Sequence, residues 1–124
     1  MVEALLDSVI LIDHLNGVGQ STVWLASQDW NRLAISAITR AEVLAGAAQE
    51  ESVHIAHLLD SFDCLPLEAE TADRAARIRR EKRLRLPDAF QAAVAELHRL
   101  DLVTRNTRDF RPGLFDFVVV PYEL

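Results

Sequence analysis

Five short, mainly apolar runs separated by stretches with helical spacing limit what this chain can fold into. The runs are Ala4–Leu6, Leu33–Ser36, Cys64–Leu67, Leu102–Thr104 and Phe117–Val120. Each has the length of a strand, and none shows the apolar–polar alternation of a sheet with one wet face. Continuous apolar strands are buried on both sides, and strands that alternate with helices are joined by crossovers. The pattern predicts an α/β fold: a three-layer α/β/α sandwich around a mostly parallel sheet of about five strands.

The intervening segments read as helices. Ser8–Leu15 is apolar until Asp13 and His14, and Asn16-Gly17 stops it. Gly19–Asp29 is a second helix, and "TRAEVLAGA" begins a third at Thr39, where Thr39 and Glu42 have capping-box spacing. "ESVHIAHLLDSF" and "EAETADRAARIRREKRL" follow. Pro87 then breaks the chain, and Asp88 opens the helix "DAFQAAVAELHRL", with Phe90, Ala93, Val94, Leu97 and Leu100 on one stripe. The 124 residues fit one domain, 1–124, with no internal repeat or linker, and half of them are apolar.

Composition removes several classes. No apolar run approaches the roughly 18–20 residues of a membrane span, and the N-terminus lacks the basic start and long apolar stretch of a signal peptide. The single Cys64 cannot close an internal disulfide, so a cytoplasmic location is expected. Neither a Cys/His zinc pattern nor ligand spacing among the four histidines is present, and His14, His54, His57 and His98 read as surface or helix residues. A formal charge of −6 argues against a general nucleic-acid coat protein.

The distribution of carboxylates is more informative than their sum. In an open parallel sheet, ligands bind beyond the carboxyl ends of the strands. Asp7 ends the first strand, Glu42 lies shortly after the second, Asp88 precedes the fourth by one helix, and "TRNTRDF" brings Asn106 and Asp109 directly after the fourth. Each has a plain structural role open to it. Asp7 can cap a helix, Glu42 can close its capping box, Asp88 can favour a helix N-terminus and Asp109 can serve a turn. Gathered in one crevice, the acids repel unless a cation neutralises them. Oxygen-only coordination suits Mg²⁺ or Mn²⁺, and such ions activate water and stabilise displacement at phosphodiesters. The joint reading is a metal-dependent phosphoryl hydrolase.

"LLDSVILID", "ISAITRAEVLAG", "LPDAFQAAVA" and "LVTRNTRDF", in this order over Leu5 to Val120, resemble the PIN-domain ribonucleases, and within them the short VapC-type toxins of bacterial toxin–antitoxin pairs. The resemblance implies an endoribonuclease that uses Mg²⁺ or Mn²⁺ and a metal-activated water. It places the acids at Asp7, Glu42 (with Gly46) and Asp88, with Glu42 reaching the ion directly or through water. At the fourth acidic place stands Asn106, with Asp109 three residues on, so either fills that role. Ser8 and Thr104 are expected to steer the scissile phosphate or a water. Arg105 and Arg108 flank the site and are candidates for substrate contact. Implied partners are an RNA substrate and a cognate antitoxin, in a homodimer or a toxin–antitoxin hetero-oligomer, with DNA binding falling to the antitoxin and not to this chain.

Other features keep two readings. Asp13 is expected to be a structural residue at a helix end. The basic run Arg77–Arg85 is a solvated helix face or a phosphate-steering patch. Trp24 and Trp30 pack in the core or serve a partner interface. A housekeeping RNA-processing nuclease of the same family and a weakly catalytic, partner-binding member, which Asn106 favours, are the alternatives. A receiver-like phosphoacceptor domain is disfavoured, because only Glu68 follows the third strand and the sole lysine, Lys82, lies in a helix.

Overall fold

A computed structural model describes all residues from Met1 to Leu124. The chain runs β1 (Ala4–Leu6), α1 (Ser8–Leu15), α2 (Gly19–Ala26), β2 (Leu33–Ser36), α3 (Ala37–Ala45), α4 (Ser52–Leu59), β3 (Asp63–Leu65), α5 (Ala69–Lys82), α6 (Leu86–His98), β4 (Asp101–Val103) and β5 (Val118–Val119). All pairings are parallel and the strand order is β3-β2-β1-β4-β5. The predicted layered α/β architecture is the one observed.

Successive strand residues face opposite layers, and this builds two cores. Leu5 pairs in register with Ala34 on one side and Leu102 on the other. All three point into a core shared with Ala75 and Ile78 of α5 and Ala89, Ala92, Ala93 and Ala95 of α6. The fully buried alanines let α6 lie close on the sheet. Leu6, Ile35 and Val103 point the other way, against Ile10 and Leu11 of α1, Leu25 of α2, Val43 of α3 and Ile55 and Leu59 of α4. Burying one such leucine or isoleucine contributes roughly 1.5–3 kcal/mol. No helix is long and apolar enough to cross a membrane.

The topology fixes where a site can lie. The chain steps from β1 to β2 to β3 along one direction, with α1–α4 on one face. It then returns over the other face through α5 and α6 to β4, on the far side of β1. The order therefore reverses between β1 and β4, and a crevice opens beyond their carboxyl ends at such a switch point.

Several boundaries differ from those expected, each for a local reason. The second helix ends at Ala26, and a short 3₁₀ turn at Trp30–Arg32 leads into β2. Helix α3 starts at Ala37, because the Ser36 side chain caps it by accepting the Thr39 N–H at 3.2 Å. The Thr39–Glu42 capping box is therefore not formed. Pro87 does not break the chain: it sits in the first turn of α6, where its fixed φ suits a helix start and its missing N–H has no intrahelical partner to lose. Asp88 is consequently inside that first turn and does not open the helix.

Candidate active site

Asp7 follows the last residue of β1 and is the N-cap of α1, with extended backbone (φ −68°, ψ 149°). Its N–H donates to the Val103 carbonyl at 2.9 Å, so the β1–β4 pairing continues to the residue that carries the acid. The side chain is only 5% exposed. Three donors hold it: the Ser8 N–H at 2.9 Å and Gln91 Nε2 at 3.2 Å on Oδ1, and Thr104 Oγ1 at 2.7 Å on Oδ2. Burial pushes the Asp7 carboxyl above the usual range, these donors pull it back, and the charge of Asp109 adds to the upward push.

Asp88 is brought to the same place from the opposite layer, on the first turn of α6. It is buried, and its Oδ2 has no hydrogen-bond donor. The nearest cation is Arg85, whose Nε lies 3.6 Å from that oxygen. Its pKa is pushed up to about 6, first by burial and then by the charges of Asp7 and Asp109, with a smaller push from Glu42 and an opposing pull from Arg85. These couplings show that the four acids fall within one electrostatic neighbourhood. Glu42 is exposed on α3, and with Ser36 as the true cap it has no capping duty. Asp109, half-buried in the segment after β4, accepts from Asn106 Nδ2 at 2.7 Å and pairs with Arg85 at 3.2 Å. No three of the chain's His, Cys, Asp and Glu side chains close into a ready-made ion cage.

The two candidates for the fourth acidic place are in direct contact. Asn106 donates to Asp109 and, through its backbone N–H, to Thr104 Oγ1 at 3.0 Å.

Two of the expected substrate contacts need correction. Thr104 has no exposed surface and is hydrogen-bonded on both sides, so it acts through Asp7 and does not reach a phosphate. Arg105 is committed to Asp13, with Nε at 2.5 Å and Nη2 at 2.8 Å from its two oxygens, and Tyr122 Oη donates to the same carboxylate at 2.9 Å. Asp13 is thus a buried structural residue outside the acid set, as expected. Arg108 is exposed beside Asn106 and Asp109 on an open hollow of about 450 Å³, whereas Ser8, next to Asp7, is buried to the same degree as Asp88.

The sequence reading missed Gln91. This side chain, 1% exposed, accepts from Ser36 Oγ at 2.6 Å and donates to Thr39 Oγ1 at 2.7 Å as well as to Asp7. Thr39 Oγ1 in turn donates to the Leu6 carbonyl at 3.1 Å. A satisfied buried network of this kind locks the first acid to β2, α3 and α6 together. The signal was available: a glutamine three residues after Asp88 on the buried, alanine-rich side of its helix.

A carboxylate oxygen that is buried, lacks a donor and lies among other acids is a fitting ligand for a hard divalent cation, and the remaining acids supply the oxygen-only set such ions take. The largest surface hollow, about 590 Å³, lies elsewhere. It is lined by Gln20, Val23 and Trp24 of α2 and by Pro121 and Tyr122, and contains no carboxylate. Trp30 is packed, stacking on Phe62 at 4.9 Å and donating to the Leu25 carbonyl.

Known proteins match this chain over most of its length. A family model described as "PIN domain" matches residues 4–112. Ribonuclease VapC10 of Mycobacterium tuberculosis is 38% identical over 112 residues, spanning 86% of this chain and 84% of that protein. A toxin–antitoxin complex from Klebsiella pneumoniae contains a chain that superposes with a TM-score of 0.90 at 38% identity, covering 98% of this chain and all of that one. FitAcB from Neisseria gonorrhoeae aligns at a TM-score of 0.78 and 26% identity, over 95% and 97% of the two chains.

Proposed function

This chain belongs to the PIN-domain family, and we propose that it is an endoribonuclease dependent on Mg²⁺ or Mn²⁺, the toxin of a toxin–antitoxin pair. The observation that carries the metal-dependent reading is Asp88 Oδ2, buried without a donor among three further acids at the switch point of the sheet. The toxin reading is supported by the ribonuclease relative and by the structural match to a toxin–antitoxin complex over nearly the whole of both chains.

Asp7, Asp88 and Asp109 would hold the ion, with Glu42 completing the set directly or through water. A bound ion would supply charge neutralisation at the phosphate and activation of water. The rest of the work belongs to the protein. Gln91, Thr104 and the Ser8 N–H aim the Asp7 carboxylate and offset part of the cost of its burial. Asn106 fixes Asp109, and exposed Arg108, with Ser8 nearby, orients the substrate phosphate. Such preorganised charge costs no rearrangement during reaction. The expected partners are RNA and an antitoxin that covers the acidic crevice, in a homodimer or a toxin–antitoxin hetero-oligomer.

The reading predicts RNA cleavage with Mg²⁺ or Mn²⁺ that is lost in EDTA and falls by about 10²-fold or more in Asp7→Asn, as for removal of a principal electrostatic group. Undiminished cleavage by Asp7→Asn sinks the site assignment. The toxin role predicts a neighbouring open reading frame whose product copurifies with this protein and relieves growth arrest. A harmless, partnerless gene with intact cleavage activity points instead to RNA processing.

A further inference from the structure

The turn between α5 and α6 concentrates positive charge in a chain whose formal balance is −6. From Arg77 to Arg85, six of nine side chains are cationic and Glu81 is the one acid. The fold gathers part of this run. Arg83 ends α5 in the left-handed region (φ 58°), the chain reverses, and α6 begins three residues later. Arg79, Arg80, Arg83 and Arg85 then line, with Leu84, one open hollow of about 330 Å³. Arg79 also donates to the Leu84 carbonyl at 3.0 Å, which fixes the turn. Lys82 is turned away over the Phe115 ring.

Two observations give this hollow a ligand. Arg80 and Arg83 are exposed and take part in none of the chain's ion pairs, so their charge is uncompensated within the protein. Arg85 connects the hollow to the acid set, pairing with Asp88 and with Asp109. A strand of phosphates seated on Arg80 and Arg83 therefore leads into the site, and the acids alone would repel that strand.

We propose that this hollow binds the phosphate backbone of single-stranded RNA beside the cleaved bond, independently of base sequence. The proposal rests on the ribonuclease reading and extends it by naming the substrate path. Phosphate contacts of this kind fix register without reading bases. An acidic protein partner is less well served here, because the only apolar residue lining the hollow, Leu84, is itself buried and offers no anchor.

The test is fluorescence anisotropy of a labelled single-stranded RNA of mixed sequence, over a series of KCl concentrations in EDTA, with Asp7→Asn protein so that nothing is cleaved. Against this parent stands the same protein carrying Arg80→Gln and Arg83→Gln. A control of equal net charge carries Arg32→Gln and Arg99→Gln, which lie toward the opposite end of the sheet. Each phosphate contact to a single strand contributes about 0.7 to the slope of log affinity against log salt. The hollow variant is expected to lose affinity about tenfold or more and to flatten the slope by about 1.4, with the control near the parent. Arg85→Gln alone is expected to lower the slope by about 0.7. If the double variant melts early, Arg80→Gln and Arg83→Gln made singly each show half the effect. Should the active protein cleave RNA while the hollow variant keeps parent affinity and slope, this proposal fails and the ribonuclease reading stands. If the Asp7→Asn parent does not bind RNA and the wild-type protein does not cleave it with Mg²⁺ or Mn²⁺, that reading is overturned, and the proposal with it. Loss of a copurifying acidic protein from the hollow variant, with RNA binding intact, makes the hollow a protein dock and also overturns the proposal.

Discussion

Asp88 carries a conflict between stability and function. Its ionised form is disfavoured by burial and by three neighbouring acids, so its pKa of about 6 in the fold lies above the ordinary carboxylate range. A raised carboxyl pKa means that ionisation costs the folded state more than the unfolded one. The penalty is absent when both states are protonated, grows as pH rises from about 4, and is complete above about 6. Asp88→Asn is therefore expected to stabilise the metal-free protein by about 1–2 kcal/mol at pH 8, after allowance for screening at the open side. The gain should shrink towards zero near pH 4, and cleavage should be lost at every pH. Urea unfolding in EDTA at the two pH values checks this, and an Asp88→Asn protein less stable than wild type at pH 8 would show that the acid is paired rather than repelled. The sequence pointed to Asp7 and Asp88 because each sits at the junction of a strand or helix end with apolar chain. It did not reveal Gln91, because a glutamine among alanines looks like a polar gap in a stripe until its partners from β1, β2 and α3 are seen.

At the level of elements, the apolar runs marked all five strands, since strands buried on both faces advertise themselves by continuous hydrophobicity. Their ends were displaced by one or two residues, as at β3, which begins at Asp63, and β5, which shortens to Val118–Val119. Capping was read less well. "SAIT" offers two hydroxyls, and only the close of β2 decides that Ser36 and not Thr39 caps α3, which in turn frees Glu42. Asp13 shows the limit most clearly: helical spacing removed it from the acid set, but its partner Arg105 is 92 residues away and Tyr122 is 109. The three join α1, the segment after β4 and the C-terminal tail. Arg105 holds the Asp13 carboxyl below its usual range, with Tyr122 adding a smaller pull, so this contribution is complete above about pH 4 and is lost as acid protonates Asp13 in the fold. At neutral pH, Asp13→Asn is expected to cost about 2–3 kcal/mol and Tyr122→Phe about 1 kcal/mol, with the Asp13→Asn difference narrowing below pH 4. Because Arg105 lies between Thr104 and Asn106, Asp13→Asn should also lower kcat more than it raises KM. Equal stability of the two variants at neutral pH would remove the ion pair from this account.

Across the whole molecule, the sheet brings like charges together and the surrounding layers keep them there. Asp7 enters from β1, Asp109 from the segment after β4, Glu42 from α3 in one layer and Asp88 from α6 in the other. No single element can relieve the repulsion by moving, because Asp7 is tied to Gln91 on α6 and to Thr104 after β4. In the metal-free fold the repulsion is relieved by taking up a proton, which is why the Asp88 pKa is raised to about 6. Anything that binds the native state and not the unfolded one stabilises it by mass action. On the metal-dependent reading, Mn²⁺ at about ten times its dissociation constant adds about 1.4 kcal/mol, which for a domain of this size raises Tm by roughly 3–8 °C. Asp88→Asn should begin from a higher Tm in EDTA and gain little or nothing from Mn²⁺, so the two melting curves converge as the ion is added to wild type. A titration followed by differential scanning calorimetry at pH 8 reads both effects together. If Mn²⁺ raises the Tm of Asp88→Asn as much as that of wild type, the ion is bound elsewhere and the acids at the switch point are not its ligands.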